Sequence, residues 1–176
     1  MMLWLSLLIT QPLLIALKHH TLHKQLGQVS KPLIALLILS ALMLIFDRFY
    51  IDQEKGLSLT LNLAIRGISI ITLTTLATCY ALGIKHKNNI ATHMRYMIGT
   101  AFTMIPASAT RLLYFLKVNS TFAELSVLII LDIVIIYLLF KDHKKGVSTQ
   151  AYKVILAFHL GLTLYYCFML AFTLNS

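Results

Sequence analysis

Residues 125–145 read LSVLIILDIVIIYLLFKDHKK, an apolar run that contains Asp132 and ends in a mainly basic cluster in which Asp142 is the one acid. Such a run is typical of a membrane helix, in which roughly 20 mainly apolar residues cross about 30 Å of hydrocarbon. The basic cluster is typical of a cytoplasmic helix end, because Lys and Arg are enriched in short cytoplasmic loops. The stretch therefore predicts a membrane helix that ends at the cytoplasmic side.

Six apolar stretches of this kind occur along the chain, separated by five polar linkers. The stretches are 2–17, 32–46, 57–84, 96–116, 125–140 and 154–173. The first, third and fifth linkers hold ten of the 15 Lys and Arg and six of the seven His. We therefore predict an all-α fold, a single domain over residues 1–176 with six transmembrane helices. The positive-inside rule makes the odd linkers cytoplasmic and leaves both termini outside.

The composition also indicates lipid as the solvent. The chain is 59% hydrophobic with a mean hydropathy of +0.82, whereas soluble domains are about 45–50% apolar. The net charge of +9 lies in short loops beside apolar spans, so membrane orientation and contact with anionic lipid explain it. We expect membrane lipid as a partner and no nucleic acid, because no aromatic and basic stacking surface is present. Cys79 and Cys167 lie inside apolar spans and do not form a disulfide framework.

The start of the second span has two interpretations. Ser30 before Pro32 matches an N-cap with a proline in the first turn. A span limited to 32–46 is short for a bilayer, so a start nearer Lys24 is the alternative.

Four ionisable side chains fall inside the predicted spans, where their burial is costly and marks candidates for function. They are Arg66, Arg111, Asp132 and His159. At about 1.5 Å per residue, the first three lie roughly 9–14 Å below the outer surface. One interpretation is an Arg–Asp pair that neutralises charge and fixes helix packing. The other is a pocket with one surplus positive charge for an anionic or carbonyl-bearing ligand, such as a quinone or a lipid headgroup.

The fourth span carries a polar face. Six residues lie within about 60° of one line along the helix: His93, Met97, Thr100, Met104, Ser108 and Arg111. Close helix packing explains such a face, because Met, Thr and Ser are common where membrane helices meet. A binding site that runs from a cytoplasmic His to a buried Arg is the alternative.

Three histidines are candidate cofactor ligands. His23 opens the second span, His93 opens the fourth, and His159 lies in the sixth, so that all three are placed toward the inner side. His ligation of haem or a transition metal requires such convergence, and haem b with Met97 nearby is the candidate cofactor. The HExxH, CxxC and acidic-cage spacings of common metal sites are missing, so the metal stays unknown. For His159 the alternative is a neutral imidazole bonded to Thr163 or to a neighbouring helix.

Hydrolytic chemistry is not expected from this sequence. GxSxG, HExxH and paired intramembrane carboxylates are missing. A helical Ser or Thr without a base and an orienting group is not a candidate nucleophile. We therefore assign no catalytic residue.

Two helix starts together resemble a known group of proteins. His23–Ser30 reads HKQLGQVS, and His93–Thr100 reads HMRYMIGT with Arg111 near the far end of the same helix. They resemble a family of small, uncharacterised bacterial multi-spanning membrane proteins with the patterns HKKLGKVS and HARYMIxT. Gln25 and Gln28 depart from the usual basic residues. The resemblance implies no reaction, but it marks His23, His93, Arg95 and Arg111, and it implies the bacterial cytoplasmic membrane.

Three function hypotheses follow. The first is an integral membrane protein that binds a redox cofactor, haem or quinone, in an intramembrane polar site. In it, His23, His93 and His159 ligate or exchange protons, and Arg66 and Arg111 hold anionic groups. The second is a small transporter or ion carrier that uses the layer of Arg66, Arg111 and Asp132 as a midway station and the histidines as a cytoplasmic exit. The third is a structural or assembly protein, alone as a homo-oligomer or within a membrane complex.

Overall fold

The computed structural model of the protein describes residues 2–54, 59–117 and 120–174 and consists of helices. In chain order they are α1 (Met2–Ala16), α2 (His20–Glu54), α3 (Leu59–Lys85), α4 (Ile90–Phe115), α5 (Ser120–Lys144) and α6 (Gln150–Leu174). The predicted all-α class is confirmed, and each helix corresponds to one predicted span. Met1 and residues 175–176 lie outside the described part, so the location of the termini stays a prediction.

The largest departure from the predicted bounds is the start of α2. The helix begins at His20, so linker one is helical for most of its length. Ser30 is not an N-cap, because its Oγ donates to the carbonyl oxygen of Gly27 at 2.7 Å within the helix. Pro32 lies in the helix interior, where a membrane helix tolerates the missing donor.

Four helices contain a stretch long and apolar enough to cross a membrane. Within the described residues these stretches are His20–Asp47, Arg66–Lys85, Ala123–Lys144 and Gln150–Phe172. The apolar stretch of α1, Leu3–Ala16, is shorter. Large apolar side chains on α5, including Ile130 and Ile133, are exposed on the outer surface of the protein. These features support a membrane protein.

The chain divides into two compact units. The first unit, Met1–Lys55, is the hairpin of α1 and α2. α1 closes where Lys18 adopts a φ of 62° and His19 N–H donates to the Leu14 carbonyl oxygen at 2.8 Å, which is a Schellman-type helix end. Gln11 Nε2 donates to the His23 carbonyl oxygen at 3.3 Å and ties the two helices together.

The second unit, Gly56–Ser176, contains α3 to α6. α3 and α5 each pack against both α4 and α6, and α4 contacts α6 across the centre. α4 starts after Asn89, whose Oδ1 caps the N–H of Thr92 at 3.1 Å. α5 ends just before Gly146. The φ of 64° at this glycine allows Val147 N–H to donate to the Asp142 carbonyl oxygen at 3.1 Å.

The α3–α4 and α5–α6 loops lie at one end of this unit, because Arg95 of α4 bonds Asp142 of α5. We call this end, residues 85–95 and 141–153, the basic end. The grouping of the third and fifth linkers on one side agrees with the charge pattern of the sequence.

Two apolar clusters fill the second unit. The basic-side cluster consists of Cys79, Phe102, Leu131, Ile135, Tyr152 and Ile155. The far-side cluster consists of Leu128, Leu162 and Tyr166. On α6, His159 lies between Ile155 of the first cluster and Leu162 of the second, so a polar side chain separates two apolar regions.

Candidate functional site

A buried imidazole–carboxylate pair lies at the α5–α6 interface. His159 Nδ1 and Asp132 Oδ1 are 2.6 Å apart. His159 is 3% exposed and Asp132 is 6% exposed. A carboxylate accepts and cannot donate when ionised, so Nδ1 carries the hydrogen of this bond. The bond fixes both the orientation of the ring and the identity of its second nitrogen.

Thr163 completes the carboxylate's surroundings. Its hydroxyl lies 2.8 Å from Asp132 Oδ2 and 3.2 Å from the carbonyl oxygen of His159, one turn earlier on α6. Each oxygen of Asp132 thus has a donor from α6. Burial of a charge is tolerated when the charge is paired and hydrogen-bonded, and this arrangement meets that condition for Asp132.

The second nitrogen of the ring is different. His159 Nε2 is buried and has no hydrogen-bond partner within the described residues. An unmade buried hydrogen bond costs about 1–3 kcal/mol, and such groups in native proteins have a cause, such as a bound water, an ion or a chemical role. His159 Nε2 is therefore the atom of the site whose hydrogen-bonding capacity is left unused by the described residues.

Close packing fixes the register of α4 against its neighbours. A methyl group added at Gly99 would meet Cys79 Sγ of α3 at 3.0 Å and Ile155 Cδ1 of α6 at 2.8 Å. Nearer the basic end, the Arg95 guanidinium lies 5.9 Å from the centroid of the Tyr152 ring. α4 and α6 therefore run in the same direction, and α3 runs opposite to both.

This register places two buried hydroxyls at the level of His159. One helical turn beyond Gly99 on α4 is Thr103, as His159 is one turn beyond its Ile155 neighbour on α6. On the antiparallel α3 the corresponding residue is Thr75. Both threonines are 5% exposed. We call Thr75, Thr103, Asp132, His159 and Thr163 the polar layer.

A second buried ion pair lies at the basic end. Arg95 Nε donates to Asp142 Oδ2, and the guanidinium also faces the ring of Tyr152. Arg95 is 8% exposed, and its Nη1 is buried without a hydrogen-bond partner in the described part of the chain. The contacts join α4, α5 and α6, so this pair ties the helix ends together.

His93 and Met97 lie at the contact of α3 and α4. His93 Nδ1 is 2.7 Å from the carbonyl oxygen of Gly83, and Nδ1 is again the donor because a carbonyl oxygen only accepts. A methyl group at Gly83 would meet Met97 Sδ at 3.1 Å. Both residues contribute to packing between these two helices.

The structure does not bring His93 and His159 together. His93 precedes Thr103 by ten residues, so its level is about 15 Å from the polar layer along α4. Nitrogen ligands lie about 2 Å from a metal ion, so the two imidazoles cannot share one iron. His23 belongs to the first unit, where its Nδ1 is buried without a partner among the described residues.

The three residues of the predicted outer layer, Arg66, Arg111 and Asp132, differ in their surroundings. Asp132 is bonded to His159 and Thr163, donors that the depth argument did not assign to it. Arg111 is exposed, which suits a side chain that reaches the membrane surface. Arg66 is half-buried on α3. Within the described residues, no group of three or more His, Cys, Asp or Glu could hold a metal ion.

Sequence reasoning missed the pairing of Asp132 with His159, although a signal exists. Each residue is an isolated ionisable group in an apolar helix, and the two helices are consecutive. Asp132 and His159 are almost equally far in sequence from Gly146 at the intervening turn. In an antiparallel helical hairpin, such positions lie at the same level. Thr75 and Thr103 carry no comparable signal, because threonines are frequent in α3 and α4.

Comparison with known proteins adds no relative. No protein-family model, no curated protein and no solved structure matches this chain. The resemblance of His23–Ser30 and His93–Thr100 to a bacterial family therefore stays a prediction.

Proposed function

We propose that the protein is a proton-exchanging carrier with six transmembrane helices, in which the His159–Asp132–Thr163 site takes up and releases a proton. The buried, unpartnered His159 Nε2 beside a carboxylate-bound Nδ1 is the observation that carries the proposal. Histidine is the side chain whose charge changes most readily near neutral pH. Ionisable groups at membrane depth mark ion pathways and proton relays in pumps and transporters.

The position of the site supports exchange with one side at a time. The basic-side cluster separates the polar layer from the basic end, and the far-side cluster borders it in the other direction. A proton on His159 is thus held between two apolar regions. A carrier requires such an enclosed site, because a continuous polar path would be a leak.

The packing favours a small cargo at the site itself. One turn from His159, a single methyl group at Gly99 would already be too close to Ile155. A proton requires no cavity, whereas an organic ligand beside Gly99 would have to displace Ile155. The transport hypothesis is therefore better supported by the structure than binding of a large cofactor.

The proposed membrane arrangement follows the charge pattern. The basic end faces the cytoplasm of a bacterium, and both termini lie outside. Six spans are supported by four long apolar helices, the apolar α1, and the length of α4 with its buried polar face. Lipid is then the solvent for the exposed apolar surface of α5 and α6.

Proton flux into liposomes tests the proposal. Purified protein is reconstituted around a pH-sensitive dye, and a potassium gradient with valinomycin drives proton entry. We expect acidification above that of protein-free liposomes. His159→Gln and Asp132→Asn should reduce the rate to background, because one variant lacks the proton-accepting imidazole and the other its carboxylate partner.

His143→Gln is the matched control, since His143 is an exposed histidine at the end of α5. It should retain the wild-type rate. Equal rates in wild type, His159→Gln and protein-free liposomes would reject the carrier. If Asp132→Asn and His159→Gln then lower only thermal stability, the site is structural.

Binding of a redox cofactor is the second candidate, and one observation favours it. Histidines that ligate metals usually donate their other N–H to a carboxylate or carbonyl oxygen, as His159 does to Asp132. His159 would be one axial ligand of haem, or would bond a quinone carbonyl. A Soret band that His159→Gln abolishes would establish haem, and a colourless protein would exclude it. A short-chain quinone that shifts the His159 side-chain ¹⁵N signals would indicate quinone binding.

A further inference from the structure

We infer that the polar layer holds a buried water between His159 Nε2, Thr75 and Thr103, and that this water is the immediate proton donor and acceptor of His159. The inference rests on the proposed function and specifies how the proton reaches the ring. His159 Nε2 supplies the independent sign of a ligand, because this polar atom is buried without a partner in the described part of the chain.

The direction of Nε2 follows from the bond on the other side of the ring. Nδ1 faces Asp132 on α5, so the Nε2 edge is turned away from that carboxylate and remains inside the unit. α4 contacts α6 across the centre of the unit, and α3 packs beside α6. Thr103 of α4 and Thr75 of α3 lie at this level, one turn from the close contacts of Gly99.

Both threonines present acceptors at this level. Thr75 Oγ1 donates to the Ile71 carbonyl oxygen at 2.7 Å, and Thr103 Oγ1 donates to the Thr100 carbonyl oxygen at 2.8 Å. Each hydroxyl hydrogen is thereby used within its own helix. A hydroxyl oxygen also has acceptor capacity, so each oxygen can receive a hydrogen from a third group.

A water satisfies these groups in both charge states of the ring. When His159 is an imidazolium, Nε2–H donates to the water, and the water donates to the two threonine oxygens. When His159 is neutral, the water turns one hydrogen to Nε2 and keeps one threonine bond. A buried water makes about two to four hydrogen bonds, and the proposed site would give it three partners.

The exchange step balances in atoms and charge. A hydronium ion at the water position transfers one proton to Nε2, which leaves a water and an imidazolium, and no electron moves. The imidazolium charge faces Asp132 through Nδ1–H. The reverse transfer returns the proton to the water and restores the neutral ring.

The helices packed around this region carry other titratable or charged groups. Within the described residues they include Arg66 and Cys79 on α3, Arg95 and Arg111 on α4, Glu124, Asp132 and Asp142 on α5, and Tyr152, Tyr165 and Tyr166 on α6. Of these, Asp132 bonds the imidazole. A pH response at Nε2 must therefore be assigned by single variants and not by the overall titration of the protein.

Solid-state NMR of ¹⁵N-histidine-labelled protein in lipid bilayers tests the water directly. Magnetisation is transferred from water to histidine nitrogens, and His159→Gln assigns the signal. We expect transfer to Nε2 in the wild type and at least a several-fold loss in the Thr75→Val/Thr103→Val double variant. The proton affinity of His159, read from the same signals against pH, should fall about tenfold, because a charged donor loses its partner.

Thr74→Val is the matched control, since Thr74 is exposed and bonds only its own helix at Ile70. It should leave the transfer and the titration unchanged. Transfer that persists in the double variant, or is missing in a wild type that still conducts protons, would overturn the water site and leave the carrier intact. A wild type in which His159 does not titrate and no flux occurs would reject the carrier itself.

Discussion

Asp132 and Asp142 lie on the same helix and each pairs with a basic side chain of another helix, yet the two pairs differ in chemistry. Asp142 bonds Arg95, whose guanidinium is charged at any ordinary pH. Asp132 bonds His159, whose imidazole can carry or lack a second proton. The first pair is a fixed tie between helices, and the second is the proton-exchange site that we propose.

The surroundings of the two pairs sharpen this difference. The Arg95–Asp142 pair lies at the basic end, where Arg95 is buried, Asp142 is half-buried and the neighbouring lysines are exposed. The His159–Asp132 pair lies between two apolar clusters, with both carboxylate oxygens bonded and one ring nitrogen unpartnered among the described residues. Both pairs leave one buried nitrogen without a partner among the described residues, Arg95 Nη1 and His159 Nε2, but a guanidinium nitrogen cannot accept a proton and a neutral imidazole nitrogen can.

Removal of each carboxylate should give the largest effect and should separate the pairs. Breaking a buried pair costs about 3–5 kcal/mol, because the remaining partner is left buried and uncompensated. We expect Asp132→Ala to destabilise the protein by about this amount, and Asp142→Ala by less, because Arg95 lies at a helix end, where its long side chain can turn toward water.

Unfolding is measured with a thiol-reactive dye in a Cys167→Ser background. Cys167 is exposed and Cys79 is buried, so dye reaction in this background reports the opening of the second unit. Asp132→Asn is the companion variant, which retains the shape and one hydrogen-bonding oxygen. A larger loss for Asp142→Ala than for Asp132→Ala would contradict the comparison.

The register between α3, α4 and α6 is tested by Gly99→Ala. The added methyl would meet Ile155 and Cys79, and overpacking typically costs about 1–3 kcal/mol. Ile155→Val should restore part of the lost stability in the double variant, because the closest atom, Cδ1, is removed. Melting followed by circular dichroism gives both values.

Gly161→Ala is the control for helix propensity, because a methyl there meets nothing within 4 Å. It should be neutral or slightly stabilising, by up to about 1 kcal/mol. If Gly99→Ala is as stable as Gly161→Ala, Gly99 is not in close contact with Ile155 and Cys79. The placement of Thr103 at the level of His159, and with it the polar layer, would then be wrong.

The six helices are predictable from sequence, because each apolar run must satisfy its backbone internally in lipid. The start of α2 is not predictable in this way, since Lys24, Gln25 and Gln28 favour a helix as readily as a polar loop. Asp132 was grouped with Arg66 and Arg111 by depth alone. Depth gives the height of a residue in the membrane, but it does not show which helices face each other.

The site forms because α5 and α6 pack against each other. The helical hairpin brings Asp132 to His159. This match is hidden when the depth of Asp132 is counted from the outer membrane surface and that of His159 from the cytoplasmic surface. His93 illustrates the converse: the sequence grouped it with His159 by the charge of its linker, but the α4–α6 register separates them by about 15 Å. Pairing of helices is tertiary information, and symmetry about the Gly146 turn is its nearest signal in the sequence.

Arg95→Lys should give the smallest effect and completes the comparison. Lysine retains the charge beside Asp142 but loses the fixed fork of donors and the planar contact with the Tyr152 ring. We expect less than about 1 kcal/mol of lost stability and an unchanged proton flux, because a fixed charge at the basic end takes no part in exchange at His159. Lys144→Ala, at an exposed lysine of the same end, should change neither measurement. A flux that falls in Arg95→Lys while the fold stays intact would place Arg95 on the proton path, and the two pairs would then act together.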